Sequence, residues 1–273
     1  MKLSLSVRIA ESPKCKDIAA VPVETVAHQA KAAGFAGLSM RASVVSIETP
    51  AERRAEIRDL LDRLGLYVSM VTGDLSLAIN NVDAPGALRD IAPYLDLTEA
   101  LGSDLVRVMM HEESDIAYAQ YAADMAGERR QRLSHQMHWG SMFETVDGAL
   151  DILARIGRSN FGLTYEPANL LACGEDYGSA AIARLAPHVF NAYFQNIRLD
   201  AASPVTFSTR CRGAVGVQFV SLDDSLGIDP QPLIEALRVE GYDGWISIHQ
   251  PLLDGDTVEE AIGAAARQFL PLL

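Results

Sequence analysis

Five times in 273 residues, a short apolar run stops on a cluster of polar, chemically capable side chains. The runs end at Met110-His111, Gln136-Met137-His138-Trp139, Tyr165-Glu166, Gln195-Asn196 and His249-Gln250. Short, near-continuous apolar runs mark parallel strands that are buried on both faces. Polar groups gathered where such strands end suit an enzyme built on a ring of them. The five endings point to one shared pocket.

Strand-like and helix-like segments alternate with a spacing of roughly 30 residues, the βα rhythm of a parallel sheet. Candidate strands begin near Leu3, Ala36, Tyr67, Asp104, Arg132, Asn160, Val189 and Gly244. An open doubly wound sheet would carry GxGxxG or GxxxxGK[ST] after a strand, and neither motif occurs. Eight units with polar strand ends predict a closed (β/α)8 TIM barrel. Thr49-Pro50-Ala51-Glu52 reads as an N-cap, a first-turn proline and a capping-box glutamate, opening a helix to about Leu64. Gly34, Gly65, Gly102, Gly157 and Gly241 follow helical stretches, where left-handed caps are wanted. Pro93 predicts a kink or break between Pro85 and Leu101. The stretch Asp200 to Ser225 predicts an excursion over the barrel mouth. No linker divides the chain, so residues 1–273 read as one domain.

Composition narrows the function. A net charge of -13 repels nucleic-acid phosphates, yet leaves room for a small anionic substrate held by local arginines. Cys15, Cys173 and Cys211 are far apart with no CxxC, so neither a disulfide framework nor a structural zinc site is expected. No apolar stretch approaches the roughly 20 residues of a membrane span, and the first residues lack a signal-peptide core. A soluble, cytoplasmic protein is expected, with no nucleic-acid or membrane partner.

Three motifs carry a resemblance. Ala33-Gly34-Phe35-Ala36-Gly37, Gly162-Leu163-Thr164-Tyr165-Glu166-Pro167-Ala168-Asn169 and Gly241-Tyr242-Asp243-Gly244-Trp245-Ile246-Ser247-Ile248 resemble the second-, sixth- and eighth-strand motifs of the xylose isomerase-like TIM barrels. This is the sugar phosphate isomerase/epimerase superfamily. The resemblance implies a divalent metal held by Glu, Asp, His and Glu at strand ends, the glutamates also shuttling a proton between adjacent carbons of a keto sugar. Those positions fall on Gln136, Glu166, Asn196 (or its neighbour Gln195) and His249, and all four depart from the pattern. It also allows a homo-oligomer paired through helices or mouth loops.

The departures redirect the chemistry. Glutamine cannot accept a proton, so the base falls to His249, His138 or Glu166. One carboxylate with amides and imidazole is a softer site, suited to Mn²⁺, Fe²⁺ or Zn²⁺ rather than Mg²⁺. His138, Glu166 and His249 form an alternative ligand set, because Gln136 and His138 share a strand face. Arg107 and Arg198 are candidates for gripping carboxylate or phosphate, against rim ion pairs as the plainer reading. Trp139 stacks on a sugar or roofs the pocket; Asn169 binds substrate or fixes its loop. His111, beside Glu112 and Glu113, reads as a solvated loop residue, and His28 and His188 as structural. His135 should face the helical layer. Asp74 lines the pocket or stabilises a turn.

The leading expectation is an isomerase or epimerase, or a related lyase, acting by proton transfer on a small carbohydrate. The alternative is a catalytically degenerate barrel serving as a sugar-binding or partner subunit. An endonuclease IV-like role is excluded by six histidines at few matching positions and the acidic charge.

Overall fold

The computed structural model describes residues 1–12 and 15–273. Its centre is a ring of eight parallel strands: β1 (Lys2–Ser6), β2 (Gly37–Met40), β3 (Tyr67–Val71), β4 (Leu105–Val108), β5 (Arg132–Gln136), β6 (Phe161–Tyr165), β7 (Val189–Phe194) and β8 (Trp245–Ile248). Each pairs with the next, and β8 pairs with β1 in the register Leu3 to Ile246 and Leu5 to Ile248. That last pairing closes the barrel and rules out an open doubly wound sheet. Every strand starts at or within one residue of its expected position.

Closure explains the strand composition. Side chains alternate between the barrel interior and the helical layer, so both faces are dry. All five residues of β6, Phe161 to Tyr165, are buried. The helices outside turn apolar stripes inward. In Val258–Phe269, buried Val258, Ile262, Ala265, Ala266 and Phe269 fall on one face at helical spacing. Thr257 and Glu260 cap its N-terminus reciprocally. Phe269 then meets Phe194 of β7 edge-on, with ring centroids 5.4 Å apart.

Two punctuation readings need correction or detail. The helix Ala51–Leu64 begins where expected, but Thr49 does not cap it. Its Oγ1 turns back to accept the Ser46 N–H at 2.9 Å, which consumes the hydroxyl and leaves Pro50 at the cap position. Pro93 does interrupt its stretch, which divides into Gly86–Arg89 and Ala92–Ala100. Gly157 ends Val146–Ile156 at φ 62°, the left-handed conformation that glycine adopts most readily.

The excursion after β7 is a small antiparallel sheet. Ile197–Leu199 pairs with Gly213–Phe219, which pairs with Thr206–Thr209. It lies across the C-terminal ends of the barrel strands and supplies one wall of the cavity there. Among the described residues, no helix is long and apolar enough to cross a membrane.

Candidate active site

A cavity of about 780 Å³ opens at the C-terminal ends of the strands. Barrel residues Arg8, Arg107, Gln136, His138, Gln195 and His249 form its lower part. The mouth sheet covers it with apolar groups, including Val205, Phe207 and Phe219. Trp139 joins that cover by stacking on Phe207, with centroids 5.1 Å apart and planes at 19°.

Glu166 lies directly after β6 and is fully buried beneath the cavity floor. Three amides hold it. Its Oε2 accepts from Gln136 and, at 2.8 Å, from Asn169 Nδ2; its Oε1 accepts from Gln195. Burial pushes its carboxyl up to about 7, opposed by the Gln136 hydrogen bond and by the charges of Arg8 and Arg107. Gln136 Oε1 is buried with no hydrogen-bond partner among the described residues. Asn169 Nδ2 also donates to the Met137 carbonyl at 2.8 Å, tying the β5 end to the β6 end.

His249 follows β8 and lies flat against Tyr193 of β7, whose hydroxyl pairs with Ser39 Oγ at 2.9 Å. Its Nδ1 pairs with Ser6 Oγ at 3.0 Å. Burial, reinforced by Arg8, Arg41, Arg107 and Lys16, holds the ring well below the ordinary histidine range. The imidazole is therefore neutral near pH 7. When Nδ1–H donates to Ser6, the Nε2 lone pair is left to accept a proton.

A second chain runs down the opposite wall. Arg107 donates through Nη1 to the Leu77 carbonyl at 2.6 Å and through Nη2 to Asn80 Oδ1. Asn80 passes the contact on, its Nδ2 donating to His138 Nε2 at 2.8 Å. His138 Nδ1 donates to the Trp139 carbonyl at 2.6 Å. Both ring nitrogens of His138 are thus engaged, and burial beside Arg107 keeps the ring well below its usual basicity. Asn80 terminates Leu75–Ile79 in a left-handed conformation, φ 55°. Nothing in the sequence singles it out.

Several expected residues are placed elsewhere. Asn196 points away from the cavity: its Oδ1 accepts from Ile228 N at 2.7 Å and its Nδ2 donates to the Ser221 carbonyl at 2.8 Å. It pins the 221–228 loop, and its neighbour Gln195 faces Glu166 instead. Arg198 lies on the mouth sheet, where its guanidinium forks onto Asp224. Asp74 caps Leu75–Ile79 through the Leu77 N–H at 2.6 Å and accepts from the Tyr94 hydroxyl, a turn-stabilising placement. His135 faces outward, stacked on Phe143 at 3.9 Å, its Nε2 accepting the Met110 N–H. His111 is half-buried rather than solvated, its ring beside the Gly140 and Asn81 carbonyls. His28 is exposed, with Nδ1 donating to the Glu24 carbonyl.

Three cations in the cavity wall were missed: Arg8, Lys16 and Arg41. Arg8 and Arg41 carried the same signature as the five polar endings, an arginine just past Leu5-Ser6-Val7 and Leu38-Ser39-Met40. Arg8 Nη1 donates to Gln195 Oε1 at 2.8 Å and to the His249 carbonyl at 3.2 Å. Arg41 forms a buried two-point ion pair with Glu11. Lys16 stands at the mouth, its ammonium lowered to about 8 by burial and by Arg8 and Arg41.

A separate cluster joins Glu144, Cys173 and Cys211, whose ligand-type atoms lie within 4.8 Å of one another. The sequence spacing gave no sign of it. Glu144 already accepts the backbone N–H groups of Gly140, Arg210 and Cys211, which anchors the turn of the mouth sheet.

The sequence pattern of the xylose isomerase-like TIM barrel family matches residues 27–270, and the chain belongs to that family. No match was found among curated proteins. Solved structures share the fold at low identity. A xylose isomerase-like TIM barrel/4-hydroxyphenylpyruvate dioxygenase fusion protein superposes with TM-score 0.72 and 17% identity, over 100% of this chain but only 42% of the fusion. A probable 3-DHS dehydratase, AsbF, from Bacillus anthracis gives 0.70 and 14%, covering 98% of each chain. The D-allulose 3-epimerase of Methylomonas sp., in complex with D-allulose, gives 0.69 and 12%, covering 100% of this chain and 97% of the other. Other matched structures hold magnesium or zinc.

The residues at the barrel centre do not fit such an ion. Glu166 is the one carboxylate among the four family positions, and three N–H donors already point at its oxygens. Asn196 faces away, and His249 sits among four cations. A divalent cation needs several anionic oxygens and no crowd of like charges.

Proposed function

We propose that the protein is an enzyme that moves a proton on a small keto sugar or sugar derivative bound in this cavity, with His249 as the proton-moving group. The observation that carries the reading is the ring geometry: a neutral imidazole is fixed by Tyr193 and Ser6 within the cavity wall. A general base acts from the neutral state and works best with a pKa near the working pH; negative charge seated among the nearby cations would raise the depressed ring toward that range. Glu166 has a different part here. It touches no cavity space and acts as the anchor that orients the Gln136 and Gln195 amides and balances nearby arginines. Gln136 lines the cavity, and its buried carbonyl, without a partner among the described residues, would be satisfied by a substrate hydroxyl. Neighbours named as an epimerase and a dehydratase support this reaction class.

One observation favours a second reading, a sugar-binding subunit without turnover: the sole carboxylate of the family positions is sealed under three amides. Solvent exchange separates the two. Incubation in D₂O with ketoses and sugar acids, followed by mass spectrometry, is expected to show deuterium entering one substrate. His249→Asn is expected to slow that exchange by about 10² to 10⁴-fold. A sugar that binds yet never exchanges, with or without added Mn²⁺, would leave the binding-subunit reading in place.

A further inference from the structure

We propose that the cavity is built to receive an anionic group, a carboxylate or a phosphate, carried by a hydroxylated substrate and seated between Arg8, Lys16 and Arg107. The proposal rests on the reading of this cavity as the substrate site and names the class of molecule it takes.

The charge pattern is the starting point. The chain carries a net charge of -13, and many of its exposed arginines meet carboxylates: Arg53, Arg58, Arg129, Arg132, Arg155 and Arg158 each pair with an Asp or Glu. Arg8 and Arg107 do not. Among the described residues, their hydrogen-bond acceptors are the Gln195 amide, the Asn80 amide and the carbonyls of His249 and Leu77. All are neutral. Arg107 is only 1% exposed, and its Nε has no partner among the described residues. Buried Arg107 and half-buried Arg8 both feel the charge of Glu166, while Arg41 and Lys16 stand in the same wall. One shared carboxylate leaves the wall with an excess of positive charge, which an incoming anion would offset.

The surroundings agree. Arg41, the third arginine of the wall, is already neutralised by Glu11. Asp254 also lines the cavity, but it is exposed, where water screens its charge. Glu166, below the floor, attracts both guanidiniums through its charge, but among the described residues its hydrogen bonds come from three amides rather than from either arginine. Both guanidiniums are lowered to about 10, burial being the largest cause for each. Lys16 adds a third cation at the mouth. Gln136 Oε1, which has no partner among the described residues, supplies the complementary feature, an acceptor for a hydroxyl hydrogen. A sugar acid or a sugar phosphate has both groups; a neutral sugar leaves the arginines unanswered.

Calorimetric titration of the intact protein tests this, with D-fructose, D-gluconate and D-fructose 6-phosphate as probes at low and high NaCl. At least one anionic probe is expected to bind ten-fold or more tighter than D-fructose and to weaken as salt rises. Which anion wins distinguishes a carboxylate site from a phosphate site. Arg8→Gln is expected to weaken anion binding about ten-fold. Lys16→Met, at the cavity mouth, is expected to weaken it less but in the same direction. D-Fructose binding equal to or tighter than both anions overturns the proposal. So does anion binding that neither substitution changes, and so does failure of both anions and inorganic phosphate to bind at all. Anion binding without deuterium exchange keeps the clamp and removes the proton-transfer reading. Exchange on a neutral ketose with no anion preference does the reverse.

Discussion

The imidazole of His249 and the phenol of Tyr193 lie face to face, ring centroids 4.1 Å apart and planes 2° from parallel. Tyr193 is on β7 and His249 directly follows the adjacent β8; Tyr193 is held from its far end by Ser39 of β2. A side chain on one wall of the barrel thus fixes a reactive ring through a residue on another. Tyr193→Leu removes the stacking face and the hydroxyl contact together. It is expected to destabilise the fold by about 1–3 kcal/mol and to lower turnover about ten-fold as the ring gains freedom. Urea unfolding and steady-state kinetics measure both; unchanged turnover would mean that the stack does not position His249.

Glu166 gives the fold a pH signature. Its carboxyl titrates near 7 when folded and near 4.5 when unperturbed. Between those values the folded state keeps a proton that the unfolded chain has released, so its contribution to stability falls as pH rises. The full span is about 3 kcal/mol. His135, His138 and His249 run the other way: their folded basicity is lowered, so the stability they contribute above pH 6.5 is lost as pH falls. The difference between wild type and Glu166→Gln isolates the carboxyl. Unfolding at matched pH is expected to show that difference changing between pH 4.5 and 7; parallel profiles would contradict it.

Arg41 and Glu11 have side chains only 1% and 3% exposed. Glu11→Gln strands the guanidinium without its partner and is expected to cost about 3–5 kcal/mol in chemical denaturation. Replacing both, as Glu11→Leu with Arg41→Met, is expected to recover most of that loss. A single variant as stable as wild type would show that the pair contributes little.

Trp139 reports on the cover. Phe207→Ala removes its stacking partner on the mouth sheet and is expected to shift tryptophan emission to the red. Ligand affinity is expected to fall about 3- to 10-fold, the value of one aromatic contact. Emission identical to wild type would place Trp139 in a packing environment independent of the sheet.

The barrel was largely legible because its pattern is repeated eight times, and each repeat is constrained by burial on both faces. Strand positions follow from such runs to within a residue. The site was less legible, since one residue of register reverses a side chain. Gln195 and Asn196 illustrate this: the family position left the choice between the two open, and it is Gln195 whose side chain meets Glu166, while Asn196 turns to the 221–228 loop. Arg8 and Arg41 obeyed the strand-end rule and were readable by it. Asn80 was not. Its role comes from a left-handed turn after β3 that brings an amide between Arg107 and His138.

Barrel closure has a consequence for assembly of the site. Arg8 lies near one end of the chain and His249 near the other, 241 positions apart, yet the first donates to the carbonyl of the second. The wall that they share exists only after β8 docks against β1. A nascent polypeptide halted before Trp245 would own seven strands and most of the cations but no working pocket. The shared wall is therefore gained in a single step, when the last strand of the ring docks against the first.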